Sequence, residues 1–250
     1  MIVVEGARVI YPNGTEALKP CSLHFAPGAF TVLLGASGAG KSTLLRSLNG
    51  LVRLSAGRIT AEGQDITTAL RWHRARTGMI FQQHQLIGRR SVLANVLMGR
   101  LGHHSALRTL LPWSLAEKRL ALAAIERVGL LDYALRRADQ LSGGQQQRVG
   151  IARALVQQPS TILADEPVAS LDPATSERVL GQLHAICRQD RLTAIVSLHQ
   201  LDLARRFADR IIGIAGGAVV FDGPPAALGE AETARIYGTV PQPEPILEIA

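Results

Sequence analysis

The chain has 250 residues, 47% hydrophobic and 19% charged, which is enough for one large domain with a buried core and excludes a disordered chain. Its two cysteines, Cys21 and Cys187, exclude a disulfide framework or a cysteine-rich metal cluster and are typical of a reducing cytosol. The net charge of +7 is compatible with nucleic acid, an anionic membrane surface or a phosphorylated ligand. Because the arginines are scattered, we expect solvated faces and no nucleic-acid partner.

Apolar segments that would direct the chain into or across a membrane are not recognisable. Residues 1–5 lack a basic region followed by a long apolar stretch, so we expect no signal peptide. No run approaches the ~18 apolar residues of a membrane span. The longest candidate, residues 211–221, is interrupted by glycines.

Residues 2–34 are predicted to be rich in strands, with turns at residues 12–14 and 26–28. Tyr11 lies just before the first turn. Its side chain is either a half-buried tyrosine at a strand end or a platform on which a nucleotide base stacks. The motif that follows favours the second interpretation.

A phosphate-binding loop follows this region. Residues 31–34 are typical of a short buried strand and residues 42–48 of the start of a helix. The loop residues match G-x-x-x-x-G-K-[ST] and are Gly35, Ala36, Ser37, Gly38, Ala39, Gly40, Lys41, Ser42 and Thr43. Glycines let backbone N–H groups approach phosphate oxygens, and the helix N-terminus adds a positive dipole end. Lys41 can reach the β- and γ-phosphates, and the Ser42 hydroxyl can bind Mg²⁺.

Two strands are predicted after the loop helix, which should end near residues 49–50. One lies within residues 57–63 and the other spans residues 77–81, with Gln82 at its end. A polar residue at the carboxyl end of a strand in an open α/β sheet lies where ligands bind. The alternative for Gln82 is a solvated loop glutamine.

The composition changes to helical spacing of leucine, alanine and arginine between about residues 83 and 140. Ser114 and Glu117 form a capping-box pattern, which predicts a helix that starts there and ends at Gly129. We interpret this stretch as a helical subdomain inserted into an α/β core.

A second anion-binding feature follows. Ser142 is a suitable N-cap for a helix that we expect to run to about Gln158, before Pro159. Gly143 and Gly144 then occupy the first turn, although each costs up to ~1 kcal/mol relative to alanine. Their presence makes sense where a phosphate approaches the backbone of that turn.

Two acidic residues follow a buried strand that is predicted at residues 161–164. Asp165 suits Mg²⁺ binding, and Glu166 is placed to polarise an attacking water. The alternative is a pair of solvated loop acids. The apolar strand before them and Pro167 after them favour the functional interpretation.

The remaining elements complete the predicted sheet. A helix should start at Pro173, and a further buried strand at residues 193–197 precedes His199. A lone histidine is more often structural, but at this sheet edge it could contact a γ-phosphate. Residues 211–214 and 218–221 predict a hairpin, and the tail from residue 223 is expected to pack on the surface.

These motifs, in this order, resemble those of ATP-binding-cassette (ABC) ATPases over almost the whole chain, and the signature Leu-Ser-Gly-Gly-Gln at residues 141–145 is specific to that family. The resemblance implies an α/β P-loop NTPase (RecA-like) core with an N-terminal antiparallel β subdomain and an inserted α-helical subdomain. The core would comprise residues 1–82 and 159–250, and the insertion residues 83–158.

The resemblance also implies roles. Glu166 would be the catalytic base, His199 the switch histidine and Gln82 a catalytic glutamine that also reaches the metal. Ser42 and Asp165 would bind Mg²⁺. ATP would lie between two chains of a head-to-tail homodimer, with the phosphate-binding loop of one chain facing the signature of the other. The further residues implied to bind nucleotide are Tyr11, Ser142, Gly143, Gly144, Gln145 and Asp172.

Three segments resemble more narrowly the ATPase subunits of bacterial phosphonate importers: residues 95–102, 163–173 and 197–205. Gly150 and Ala36 depart from that family, which usually has alanine and often proline there. This resemblance implies transmembrane permease subunits, an extracytoplasmic solute-binding protein and a location at the cytoplasmic face of the bacterial inner membrane.

Three alternatives remain open from the sequence. The cargo of such an importer could instead be phosphite, an amino acid or a metal. A soluble ABC ATPase that acts on nucleic acid or protein usually has two cassettes or a long coiled-coil insertion, which this chain lacks. A P-loop kinase would have no use for a second phosphate-binding helix.

Overall fold

The computed structural model describes residues 1–83, 85–105 and 111–238. The strands are β1 (Ile2–Ile10), β2 (Glu16–Phe25), β3 (Phe30–Leu34), β4 (Ala56–Ala61), β5 (Gln64–Asp65), β6 (Thr77–Ile80), β7 (Thr161–Asp165), β8 (Thr193–Leu198), β9 (Arg210–Ala215) and β10 (Ala218–Gly223). The α-helices are α1 (Lys41–Leu48), α2 (Leu70–Arg76), α3 (Val92–Leu97), α4 (Leu115–Arg127), α5 (Gly143–Leu155), α6 (Pro173–Gln189), α7 (Leu201–Phe207) and α8 (Glu230–Tyr237). The 3₁₀ helices are Met98–His103, Leu131–Tyr133, Ala138–Gln140 and Pro225–Ala227.

The candidate site lies at the carboxyl ends of the parallel strands of the larger sheet. The strand order of this sheet is β10-β9-β3-β8-β7-β6, and β9, β3, β8, β7 and β6 run parallel. β3, β7 and β8 are buried along their whole length, which suits apolar strands covered on both faces. The carboxyl ends of β3, β8, β7 and β6 therefore lie side by side, each followed by a predicted site residue.

Alternating side chains of this sheet enter two hydrophobic cores. Val32, Ile162 and Val196 pack with the helices on one face. Leu33 and Leu163 pack on the other face, against α1 and the antiparallel sheet β2-β1-β4-β5. The α/β core and the antiparallel sheet are thus as expected, and so is the closing hairpin β9–β10.

The predicted insertion, residues 83–158, contains α3, α4 and α5. The Ser114–Glu117 capping box is confirmed, and α4 ends before Gly129 as expected. α5 ends at Leu155, three residues earlier than predicted, because Gln158 takes a left-handed conformation (φ 54°) that turns the chain toward Pro159.

The helical stretch and the large sheet share one continuous hydrophobic core, so packing alone marks no boundary near residue 158. The division at residues 82/83 and 158/159 stays a prediction. His84 and residues 106–110 of the insertion, and residues 239–250 of the tail, lie outside the described residues. Of the helices described, none has both the length and the apolar character to cross a bilayer.

Gly150 tests how much a glycine inside a helix lowers the free energy of unfolding, at a position away from the candidate site. It lies inside α5, and a Cβ built on it would meet no atom within 4 Å. Gly150→Ala is therefore expected to raise the free energy of unfolding by about 0.5–1 kcal/mol, since alanine loses less backbone entropy, and to leave ATP turnover unchanged. Urea unfolding measures this. In Gly99→Ala, by contrast, the new Cβ would lie 2.7 Å from Val156 Cγ1, so that variant should lose stability; equal loss at Gly150 would contradict the prediction.

Candidate nucleotide-hydrolysis site

The phosphate-binding loop joins β3 to α1 and depends on glycine at its end. Gly40 caps α1 with a φ of 110°, a backbone conformation that residues with a Cβ rarely adopt. A Cβ at Gly40 would also lie 2.6 Å from the carbonyl oxygen of Ala17. The loop therefore takes a shape in which backbone N–H groups can line a phosphate, as the sequence pattern predicts.

Lys41 is the first residue of α1 and is buried, with 3% of its side chain exposed. Its Nζ donates hydrogen bonds to the carbonyl oxygens of Gly35, at 2.7 Å, and Ala36, at 2.9 Å. It also lies 3.5 Å from Glu166 Oε1. The structure thus brings together the predicted phosphate-binding cation, at the start of α1, and the predicted base, just after β7.

The predicted metal ligands Ser42 and Asp165 also meet. Ser42 Oγ donates a hydrogen bond of 2.6 Å to Asp165 Oδ1, and Asp165 is 3% exposed. A hydroxyl and a carboxylate are the oxygen ligands that Mg²⁺ takes in phosphate sites, so this pair fits the ion. Arg46 Nη2 lies 3.2 Å from Asp165 Oδ2 and balances its charge. The sequence reasoning missed Arg46, although its position four residues after Ser42 on α1 places both on one helix face.

Glu166 has an unusual backbone. Its φ is 46°, in the left-handed region, which costs roughly 1–2 kcal/mol for a residue with a Cβ. Its backbone N–H donates a hydrogen bond of 2.8 Å to Ser197 Oγ. Ser197 was not singled out from the sequence, since its contact depends on how β7 and β8 pair.

Tyr11 lies beside the phosphate-binding loop, as a platform for a nucleotide base requires. Its hydroxyl is 3.2 Å from Thr43 Oγ1, and the ring is half-buried at the edge of the antiparallel core. The aromatic side chain thus lies next to the first turn of α1. This position is compatible with a base platform.

Gln82 and His199 are both exposed just beyond the carboxyl ends of β6 and β8. The backbone carbonyl of His199 accepts a hydrogen bond of 2.8 Å from the hydroxyl of Tyr237 on α8, and burial raises the pKa of that tyrosine to about 12. α8 therefore holds the His199 backbone in place, while its imidazole stays open to solvent.

The signature segment forms the predicted N-terminus of α5. Ser142 Oγ accepts a hydrogen bond from the backbone N–H of Gln145, and Gln145 Oε1 accepts one of 2.9 Å from the N–H of Ser142, which completes a capping box. A Cβ at Gly144 would lie 2.6 Å from Thr175 Cγ2, whereas one at Gly143 would meet Leu171 only at 3.5 Å. The lack of a side chain at Gly144 thus also lets α5 pack closely against α6, and the predicted contact of both glycines with a phosphate stays a prediction.

Asp172 has a structural role that the sequence interpretation left out. Its carboxylate caps α6 by accepting a hydrogen bond of 3.0 Å from the N–H of Thr175. The side chain and backbone of Thr175 lower the pKa of Asp172 below its usual value. Its predicted contact with nucleotide is compatible with this exposed position.

The family model described as "ABC transporter" matches residues 18–169 of the chain. The chain belongs to the ABC transporter family. It is 59% identical over 241 residues to the phosphonates import ATP-binding protein PhnC 3 of Nostoc sp. (strain PCC 7120), covering 95% of this chain and 92% of the relative. It is 61% identical over 236 residues to the phosphite import ATP-binding protein PxtA of Stutzerimonas stutzeri, covering 94% and 86%.

Solved structures agree with this membership. The fold is similar to that of cbiO1 from Clostridium perfringens, part of an ABC transporter complex, with a TM-score of 0.80, 29% identity and coverage of 94% of this chain and 92% of that one. A second similar structure is a dimeric ATP-binding cassette in a post-hydrolysis state with ADP and Pi, with a TM-score of 0.79, 31% identity and coverage of 90% and 99%.

The expected P-loop NTPase fold and family are therefore confirmed. This ABC ATPase binds ATP and couples its hydrolysis to transport. As a member of its family, it works as a dimer with permease subunits and is membrane-associated.

Proposed function

We propose that this ATPase energises the import of phosphonates. The observation that carries the proposal is its 59% identity, over 95% of the chain, to a phosphonates import ATP-binding protein. The cargo is handled by other subunits, so no residue of this chain is a substrate contact. Phosphite is the second candidate, because the relative at 61% identity is a phosphite import protein.

For hydrolysis, we assign the phosphates of ATP to the loop around Lys41, whose buried ammonium lies 3.5 Å from the carboxylate of Glu166. Glu166 would polarise the attacking water as general base. Ser42 and Asp165 would bind Mg²⁺, with Gln82 as a further ligand. The ion would neutralise charge on the phosphates. His199 would sense the γ-phosphate from the neighbouring strand end.

The dimer supplies the other half of the site. We assign Ser142, Gly143, Gly144, Gln145 and Asp172 to contacts with ATP held by the partner chain's phosphate-binding loop. The exposed helix N-terminus at Ser142 supports this assignment, since its N–H groups favour an anion. Tyr11 would stack on the adenine of its own chain's nucleotide.

Closing and opening of this dimer would drive the permease through the helical insertion. An extracytoplasmic solute-binding protein would deliver the cargo, and the ATPase would lie at the cytoplasmic face of the bacterial inner membrane. No nucleic acid takes part in this scheme.

Growth on defined phosphorus sources tests the cargo. A strain that lacks this gene should lose growth on methylphosphonate as sole phosphorus source and keep growth on phosphate. The wild-type gene should restore growth, and the Lys41→Ala gene should not. If the deletion strain lost growth on phosphite but kept growth on methylphosphonate, phosphite would replace phosphonate as the cargo. Unchanged growth of the deletion strain on both sources would contradict the proposal.

A further inference from the structure

Ser197 connects the two acidic residues of the site through a single hydroxyl. Its Oγ accepts the hydrogen bond of 2.8 Å from the N–H of Glu166 and donates one of 3.1 Å to Asp165 Oδ1. These directions follow from the chemistry, because a backbone N–H only donates and an ionised carboxylate only accepts. Ser197 is fully buried, so both bonds lie away from bulk solvent.

Sheet register explains why this hydroxyl is in place. β7 and β8 are parallel, and Asp165 pairs directly with Ser197. Side chains directly opposite each other in neighbouring strands lie on the same face of the sheet. Ser197 therefore faces α1, with Ser42 and Arg46, rather than the helices on the opposite face.

The bond to Glu166 holds a conformation that the residue would not adopt by preference. A left-handed glutamate persists only where surrounding contacts determine it. The contacts are the bond from its N–H to Ser197 and one of 3.3 Å from the N–H of Ala169 to its carbonyl oxygen. The direction in which the Glu166 carboxylate leaves the backbone, toward Lys41, depends on this conformation.

We propose that Ser197 is a positioning residue for ATP hydrolysis: its hydroxyl fixes the backbone of Glu166 and the carboxylate of Asp165 relative to each other. This inference rests on the proposed roles of those two acids. Ser197 itself does not touch the reacting atoms. It acts through Glu166, and His199 follows it by two residues, just beyond the end of β8.

The test is the steady-state ATPase activity of the full chain with Ser197→Ala. We expect kcat to fall about 10–100-fold, the usual loss when the hydrogen-bond partner of a metal-binding residue such as Asp165 is removed. The KM for ATP and the Kd of a fluorescent ATP analogue should change less than about two-fold, because nucleotide binding depends on the Lys41 loop. Ser197→Cys, which fills the same space with a weaker hydrogen-bonding group, should fall between wild type and alanine.

Ser47→Ala is the matched control. Ser47 is also a buried serine, but its Oγ donates to the carbonyl oxygen of Thr43, at 2.8 Å, and reaches neither acid. A kcat for Ser197→Ala equal to that of Ser47→Ala would overturn the proposal. If the alanine variant does not fold, the same comparison is made with Ser197→Cys.

A double-mutant cycle separates this proposal from the role of Glu166. If Ser197 acts through Glu166, Ser197→Ala should cause little further loss of turnover in a Glu166→Gln background. An equal loss in both backgrounds would overturn the positioning role. Wild-type turnover in Glu166→Gln alone would instead refute Glu166 as the base, which is a different result.

Discussion

Glu166→Gln is expected to lower the rate of ATP hydrolysis by about 10³-fold and to leave ATP binding intact. Glutamine keeps the size and polarity of the side chain but cannot accept the proton of an attacking water, and general-base catalysis contributes typically 10²–10⁴-fold. ATP should then hold two chains together. Size-exclusion chromatography with light scattering, with and without Mg-ATP, should show a monomer that becomes a dimer only with ATP.

Glu177→Gln is the control for this variant, because Glu177 is half exposed on α6 and pairs with Arg206 away from the phosphate-binding loop. It should keep wild-type turnover. Unchanged turnover in Glu166→Gln would remove Glu166 as the base. A monomer with ATP, both alone and with the permease present, would contradict the assignment of Ser142 to the partner chain's nucleotide.

Lys41→Ala is expected to weaken ATP binding by about 100-fold or more. The ammonium group is buried, and its charge-assisted hydrogen bonds to phosphate would contribute about 1.5–3 kcal/mol each. Its removal also leaves the loop carbonyls of Gly35 and Ala36 without their donor. Equilibrium binding of a fluorescent ATP analogue measures the loss.

Lys118→Ala removes an exposed lysine from α4 and serves as the control, with binding expected to match wild type. Tight ATP binding by Lys41→Ala would refute the interpretation of the loop. A thermal unfolding curve for each variant shows whether a loss of binding reflects unfolding instead.

Local patterns predicted much of the fold. The capping box at Ser114 and Glu117 and the hairpin through residues 216–217 were both found where the sequence placed them. Each depends on residues within a few positions of one another. The end of α5 was predicted less well, because it depends on a backbone conformation at Gln158 rather than on Pro159 alone.

The candidate site also has features that local motifs predicted and features that depend on tertiary contacts. The motifs alone placed Asp165 and Glu166 at a strand end, which is marked locally by an apolar run and polar residues, and Lys41 in the loop that follows another strand. They also suggested that both signature glycines serve a phosphate, which stays a prediction, but they did not reveal that Gly144 also lies close to Thr175 on α6. That contact joins two helices, so no local pattern contains it.

By itself, the sequence determined which chemical groups this ABC ATPase carries and at which strand ends they lie, because those signals are short-range. The tertiary structure alone decided how the groups are held. Ser197 meets Asp165 across 32 residues of sequence only through the register of two parallel strands, and Arg46 reaches Asp165 only because α1 packs over that face. The left-handed backbone of Glu166 likewise results from contacts made by a distant strand, since its local preference opposes it.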